Sequence, residues 1–438
     1  MTLPTIDGDG LYRGYVYAYP HKTAYRTFDE PKPLREAWAE EATDSLFLYV
    51  HIPFCSMRCG FCNLFTQAKP QDHLVTHYLE ALERQTERIR IAIPRARFAR
   101  FAIGGGTPTY LSVRELDDLF TLARTRLGVD TQTVPTAIEV SPDTLDAEKV
   151  ALLKSWHVER VSIGVQSFFE SETSGCGRPQ SRETVASALT KLADANFPTL
   201  NIDLIYGLPG QTETSWLASI EMALAYEPEE LFLYPLYVRP MTGLGRSRKE
   251  WDDQRLSLYR HGRDLLQRKG YEQISMRMFR RNDAVRNAEP NYCCQRDGMI
   301  GLGCGARSYT RGLHYSLDFA VHPKSVREII RDYVATTDAE FDFARHGFAL
   351  NAEEQRRRFV LQSILNRSGL DPHEYELQFH TSVADDFPLF AELVALDYLA
   401  FQNHRWVLTP EGLERSDAIG PQLFSKAVDR QMTEYEQR

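Results

Sequence analysis

LFLYVHIPFCSMRCGFC, residues 46–62, joins an apolar, aromatic and β-branched run to three cysteines. LFLYVHI (46–52) predicts a strand, and Cys55, Cys59 and Cys62 follow it in a C-x3-C-x2-C spacing. Three thiolates this close can hold three irons of a cubic 4Fe–4S cluster, leaving the fourth iron without a protein ligand. Structural zinc is the first competing account, but it usually wants four nitrogen or sulfur ligands in two pairs, and no partner pair accompanies this triplet. A disulfide set is the second. Seven cysteines in 438 residues is an odd count in a long chain, which fits a reducing compartment better than a stapled secreted domain. His51, four residues before the triplet, reads either as a group that tunes the cluster or as a satisfied core histidine.

The rest of the chain is compatible with a large core. Apolar residues make up 43% and charged residues 25%, ordinary for a globular protein. A net charge of −9 argues against broad nucleic-acid binding, which needs a basic face, so no nucleic-acid partner is expected. No apolar stretch approaches the ~20 residues that span a bilayer, so no membrane partner is expected. The opening MTLPTIDGDG has neither a basic nor an apolar signal region, and the expectation is a cytoplasmic protein.

Outward from the first strand, short β-prone runs alternate with amphipathic stretches. Strands are predicted at 46–52, 100–103, 136–141, 159–165, 199–206 and 230–238, with helices at 73–93, 113–128, 146–156, 182–196 and 214–226. This alternation reads as βα units on a parallel sheet, an α/β fold of partial (β/α)6, TIM-like form, with further strands near QISMRM and MIGLG extending it. In such barrels ligands sit at the C-terminal strand ends, which is where the triplet falls. The expected organisation is a leader over 1–45, a barrel and its extension over 46–335, and a small helical, winged-helix-like C-terminal domain over 340–438.

GGGTPTY (104–110) follows the second predicted strand, and a glycine run lets backbone approach a ligand closely. Taken in order, YVHIPFCSMRCGFC, GGGTPTYL, IEVSPDTL, RVSIGVQSF, NIDLIYGLPGQT and GLGCGARS resemble the oxygen-independent coproporphyrinogen III oxidase family of radical SAM enzymes. Relatives of that group include haem chaperones, haem-degrading enzymes and class C methyltransferases. The resemblance covers nearly the whole chain, and it implies the radical SAM type of barrel.

It also implies cofactors: a 4Fe–4S cluster on Cys55, Cys59 and Cys62, and S-adenosylmethionine on the open iron, whose reductive cleavage yields a 5′-deoxyadenosyl radical. A second S-adenosylmethionine is implied near Gly301 and Gly303. Tyr49, Glu139, Gln166, Arg178 and Asp203 match positions that contact S-adenosylmethionine, and Gly105, Gly106 and Thr107 lie in the segment that meets its methionyl group. Asp203 and Glu139 can accept from hydroxyls or an amino group, Arg178 can fork a carboxylate, and Gln166 can donate and accept. Phe61 is placed to shield the cluster and pack on adenine, and the Gly207–Leu208–Pro209 turn to set backbone beside the ribose. The implied partners are a small-molecule substrate, a tetrapyrrole, and an electron-donor protein. The aromatic, basic stretch GYVYAYPHKTAYRTF (14–28) resembles the leader that covers the active site in this family.

The departures concentrate on the substrate side. The bacterial oxidases carry a further cysteine just past the triplet, where this chain has Asn63 and Leu64. Their Asp–His pair is replaced by Arg277 and Met278, and the histidine of the haem chaperones is missing beside Asn291 and Tyr292. Arg277, Arg280 and Arg281 read either as a cluster for propionate groups or as a solvated edge. Cys293 and Cys294 read as buried thiols, radical quenchers, methyl acceptors or extra metal ligands. The expected function is oxidative decarboxylation of porphyrinogen propionates. The alternatives are a class C methyltransferase that uses a second S-adenosylmethionine, a haem-binding chaperone, and a zinc-stabilised scaffold.

Overall fold

The computed structural model of the chain describes residues 11–12, 14–16, 18–238, 242–245, 253–284 and 293–436. Asn291 and Tyr292, and Arg13 and Tyr17 of the leader, lie outside the described residues. Six strands, β1 (Leu46–Ile52), β2 (Phe98–Gly105), β3 (Thr136–Val140), β4 (Arg160–Gln166), β5 (Thr199–Tyr206) and β6 (Glu230–Pro235), pair in chain order, each parallel to the next. Helices α1 (Asp72–Ala92), α2 (Val113–Leu127), α3 (Ala147–Ser155), α4 (Arg182–Ala195) and α5 (Glu213–Leu224) make the crossovers, and α6 (Arg255–Arg268) follows β6. Polar caps start several of them. Ser112 and Glu115 form a capping box on α2, while Asp146, Ser181 and Thr212 accept from the first turns of α3, α4 and α5.

The extension runs off both edges of this sheet. Met278–Arg281 pairs antiparallel with β6 and with Tyr271–Gln273. QISMRM is therefore a hairpin, its turn closed by Ile274 N–H donating to Met278 O at 2.8 Å. MIGLG forms the strand Met299–Leu302 on the opposite edge, parallel to β1. Beyond it Arg307–Tyr309, Leu313–Ser316, Phe343–Ala349 and Arg26–Pro33 follow as an antiparallel meander, giving thirteen strands in all. The terminal strands Arg26–Pro33 and Tyr271–Gln273 do not pair with each other, so the sheet is an open barrel.

The C-terminal segment has its own apolar core, in which Phe359, Tyr375, Phe390, Leu393 and Ile419 pack around Tyr19 of the leader. Its short hydrophobic pair is the hairpin Leu399–Gln402 with Arg405–Leu408, turned by Asn403 and His404, both at positive φ (50° and 62°). Helices Ser416–Gln422 and Lys426–Glu436 complete it. Among the described residues no helix is long and apolar enough to cross a membrane.

One buried ion pair fastens this segment to the barrel. Arg277, 4% exposed, donates to both oxygens of Asp417, 1% exposed, at 2.7 and 2.5 Å, and Tyr237 bonds to both. The Tyr15 ring of the leader lies 3.9 Å from the same guanidinium. Removing one partner strands a buried charge, so Asp417→Ala should cost about 3–5 kcal/mol, read as a lower urea midpoint. Arg277→Met with Asp417→Leu should recover most of that loss, because no lone charge is left behind.

Candidate active site

Alternation along the six strands separates two faces. Leu48, Val50, Ile103, Ile138, Ile163, Ile202 and Leu233 are buried beneath the helices. On the opposite face Tyr49, Ala102, Gly164, Asp203, Phe232 and Tyr234 keep accessible surface, and Glu139 is exposed. Glu139 is nonetheless so deeply enclosed by protein that burial raises its carboxyl pKa. It therefore faces an internal chamber and not the outer surface.

The cysteine loop leaves β1 at the chamber rim. Gly106 N–H donates to Ile52 O and Thr107 N–H to Phe54 O, both at 2.8 Å, so the loop begins by pairing with the glycine run. A Cβ on Gly106 would stand 2.6 Å from Phe54 O and 2.9 Å from Cys55 Sγ, and Gly105 has φ +118°. Glycine is required at both positions. Thr107 Oγ1 lies 3.5 Å from Cys55 Sγ and donates to it. Arg178 Nη1 donates to Cys59 Sγ at 3.3 Å, while its Nη2 holds Ser141 Oγ and Gly164 O. Thr66 Oγ1 lies 3.6 Å from Cys62 Sγ. Ser56 bonds Asp143 at the end of β3, and Gly60 N–H donates to Cys176 O at 2.7 Å. Burial pushes the Cys55 thiol up to about 12 and raises that of Cys59, and Cys55 also feels the charges of Cys59 and Cys62.

The chamber wall continues from this loop. Gly105 N–H donates to Glu139 Oε2 at 3.0 Å, tying the glycine run to β3. Asp203 on β5 accepts from Asn201 Nδ2 at 2.7 Å. Burial lifts its carboxyl to about 7, with Asn201 and Arg160 opposing that rise and Glu139 and Glu230 adding to it. Gln166 ends β4 at a register shift with φ +70°, strained for a residue with a side chain, next to Gly164. Phe61 packs on an apolar cluster of Cys176, Ile205, Leu208, Leu236 and Leu244, above the ends of β5 and β6.

Other expected residues stand elsewhere or are already engaged. A Cβ on Gly303 would strike Tyr78 Oη and His51 O, and its N–H donates to Gln85 Oε1 at 2.8 Å, so it packs behind β1 and not on the chamber wall. Gly207 N–H is taken by Gln211 Oε1 at 2.6 Å. His51 is held between Tyr49 Oη (3.3 Å) and Phe65 O (3.0 Å), and burial pushes it down to about 4, so it braces the loop as a neutral ring. The arginine cluster is neither a free anion site nor a solvated edge. Arg277 pairs with Asp417, Arg280 with Glu230 at 2.9 Å, and Arg281 with Glu229 at 3.1 Å. Cys293 donates to Gln362 Oε1 at 2.9 Å, and burial pushes Cys294 up to about 12. Sequence reading passed over Arg58, Thr66 and Asp143, although Arg58 sits inside the cysteine motif itself.

Among the described residues no three Cys, His, Asp or Glu side chains converge on one metal ion. A cubane asks for a different spacing, because each thiolate takes its own iron. A loop of three neighbouring thiols, opening beside backbone stripped of Cβ atoms, fits that group.

Residues 49–223 match the family described as the Radical SAM superfamily. This is the class that the open barrel and its cysteine loop define. The oxygen-independent coproporphyrinogen III oxidase of Escherichia coli (strain K12) is 28% identical over 421 residues, 90% of this chain and 90% of that protein. The heme chaperone HemW of Bacillus subtilis (strain 168) is 30% identical over 349 residues, 78% of this chain and 88% of that protein. The solved E. coli coproporphyrinogen III oxidase (HemN) superposes with a TM-score of 0.78 at 25% identity, covering 93% of this chain and 96% of that one. The chain belongs to the radical SAM family that contains these oxidases and heme chaperones, a family that implies a 4Fe–4S cluster and S-adenosylmethionine.

Two outcomes follow from the site. Asp203 keeps its proton to about pH 7 when folded but only to about pH 4 when unfolded, so its share of stability falls as pH rises between those values and then levels. Asp203→Asn should therefore raise the melting temperature more at pH 8 than at pH 5, by calorimetry. Gly106→Ala should destabilise the loop by about 1–3 kcal/mol and lower iron per chain after anaerobic reconstitution.

Proposed function

We propose that this chain is a radical S-adenosylmethionine oxidoreductase that acts on a carboxylate-bearing tetrapyrrole, as the coproporphyrinogen III oxidases do. The observation that carries this reading is a convergence at one rim. The cysteine loop, the glycine run and the wall bearing Glu139 and Asp203 meet there, and Tyr15 of the leader and Asp417 of the C-terminal segment reach the end of β6. The likeness to the oxidase over 90% of the chain supports it.

Cys55, Cys59 and Cys62 would hold three irons of the cluster, with Thr107 and Arg178 donating to two of the sulfurs. Bound cluster and S-adenosylmethionine would supply one-electron chemistry able to take hydrogen from carbon. The chain's own part is binding and exclusion. Glu139 and Asp203 accept hydrogen bonds from hydroxyl or amino groups, and Asp203 near neutrality can also carry a proton. Tyr15, against Tyr234, brings a leader ring to the chamber side of β6, where it would shield the chamber from water and oxygen, while Tyr12 packs with Tyr206 in the core between β5 and the helices. On this reading a propionate loses a hydrogen atom and CO2 to leave a vinyl group, and an acceptor takes the remaining electron.

A second reading, haem carriage, is supported by the 30% identical relative named as a heme chaperone. Anaerobic protein reconstituted with iron and sulfide should release CO2 and 5′-deoxyadenosine from coproporphyrinogen III and S-adenosylmethionine. Stoichiometric haemin uptake with no CO2 would overturn the oxidase reading in favour of the chaperone. Cys59→Ala should form no 5′-deoxyadenosine.

A further inference from the structure

Arg58 occupies the third position between Cys55 and Cys59, and its guanidinium turns back across the loop. Its Nη1 donates to Thr66 O at 2.9 Å and its Nη2 to Val321 O at 2.6 Å, with Cys62 O 3.4 Å away. One side chain thus joins the front of the cysteine loop, its far end, and the sheet extension more than two hundred and fifty residues later in sequence. Thr66, held this way, presents its hydroxyl to Cys62 Sγ. Arg58 is half-buried, and among the described residues no carboxylate stands within ion-pair distance of it. Arg178, from the segment after β4, donates to Cys59 Sγ. Two guanidinium groups thus engage the loop that carries the triplet, only one of which belongs to the expected cofactor contacts.

We propose that Arg58 is a positioning residue that clamps the cysteine loop onto the Val321 strap and, through its charge, makes the bound cluster easier to reduce. The clamp follows from carbonyls of the loop's far end, Cys62 and Thr66, and of the distant Val321 segment sharing one rigid donor fork. The charge effect follows from electrostatics. Reduction adds negative charge beside three thiolates, and a fixed cation nearby favours the reduced form, as do hydrogen bonds to the sulfurs. Lysine keeps the charge but cannot bridge the same carbonyls, so the two effects are separable.

The proposal rests on the cluster reading above, and the test has one arm that does not. In cluster-free full-length protein, hydrogen exchange over residues 55–66 should quicken in both Arg58→Lys and Arg58→Met. In reconstituted protein, both variants should lose iron to a chelator roughly 10-fold faster than wild type, the usual scale for removing a group that supports metal ligands. The midpoint potential from a redox titration followed by electron paramagnetic resonance should fall in Arg58→Met and stay near wild type in Arg58→Lys. Wild-type exchange in both variants would overturn the clamp, and an unchanged potential in Arg58→Met would overturn the charge effect. Wild-type protein that takes up no reducible cluster would overturn the cluster reading itself, whatever the exchange arm showed.

Discussion

The site depends on how tightly the cysteine loop can leave the sheet. Two backbone bonds, Gly106 to Ile52 and Thr107 to Phe54, carry the pairing of β1 and β2 beyond the last strand residues and into the loop. That approach exists only because position 106 has no side chain to meet Phe54 and Cys55. Once the loop starts in this register, Cys55 falls beside Thr107, Cys59 beside Arg178, and Gly105 turns its N–H to Glu139. Four strand ends are thereby tied to one short loop, and the chamber wall is fixed relative to the sulfurs.

Charge on the chamber side follows a different logic from charge at the periphery. Arg277, just before the strand Met278–Arg281, and Arg280 and Arg281 within it find carboxylates inside the chain, Asp417, Glu230 and Glu229, and use their charge to hold parts together. Arg160 likewise pairs with Glu230 below the chamber, at 2.8 Å. The carboxylates that face the interior, Glu139 and Asp203, have no cation at ion-pair distance among the described residues, and burial raises both. An interior that keeps two accessible acceptors and places its cations at the loop and at the seams suits a ligand with donor groups near the sulfurs.

The two terminal segments meet each other and the barrel at the ends of β5 and β6. Tyr19 sits in the C-terminal core while Tyr12 and Tyr15 lean on β5 and β6, so the leader is stitched between the two halves. Arg277 serves this seam through Asp417 and Tyr15.

The order of strands and helices was legible in the sequence, because parallel strands buried on one face and amphipathic helices leave unmistakable periods. The six central strands, the crossover helices, the C-terminal hairpin and the cysteine triplet all lie where spacing and polarity put them. The edges were less legible, since MIGLG and QISMRM have the same apolar, β-prone character yet join opposite ends of the sheet. Pairing between strands far apart in sequence is set by which backbone groups still lack partners after the barrel forms, and no local pattern encodes that. The roles of single charged residues were hidden for the same reason. Arg58, Arg277 and Asp417 acquire meaning only when folding brings their partners within hydrogen-bond distance, whereas three cysteines on one short loop are neighbours before the chain folds at all.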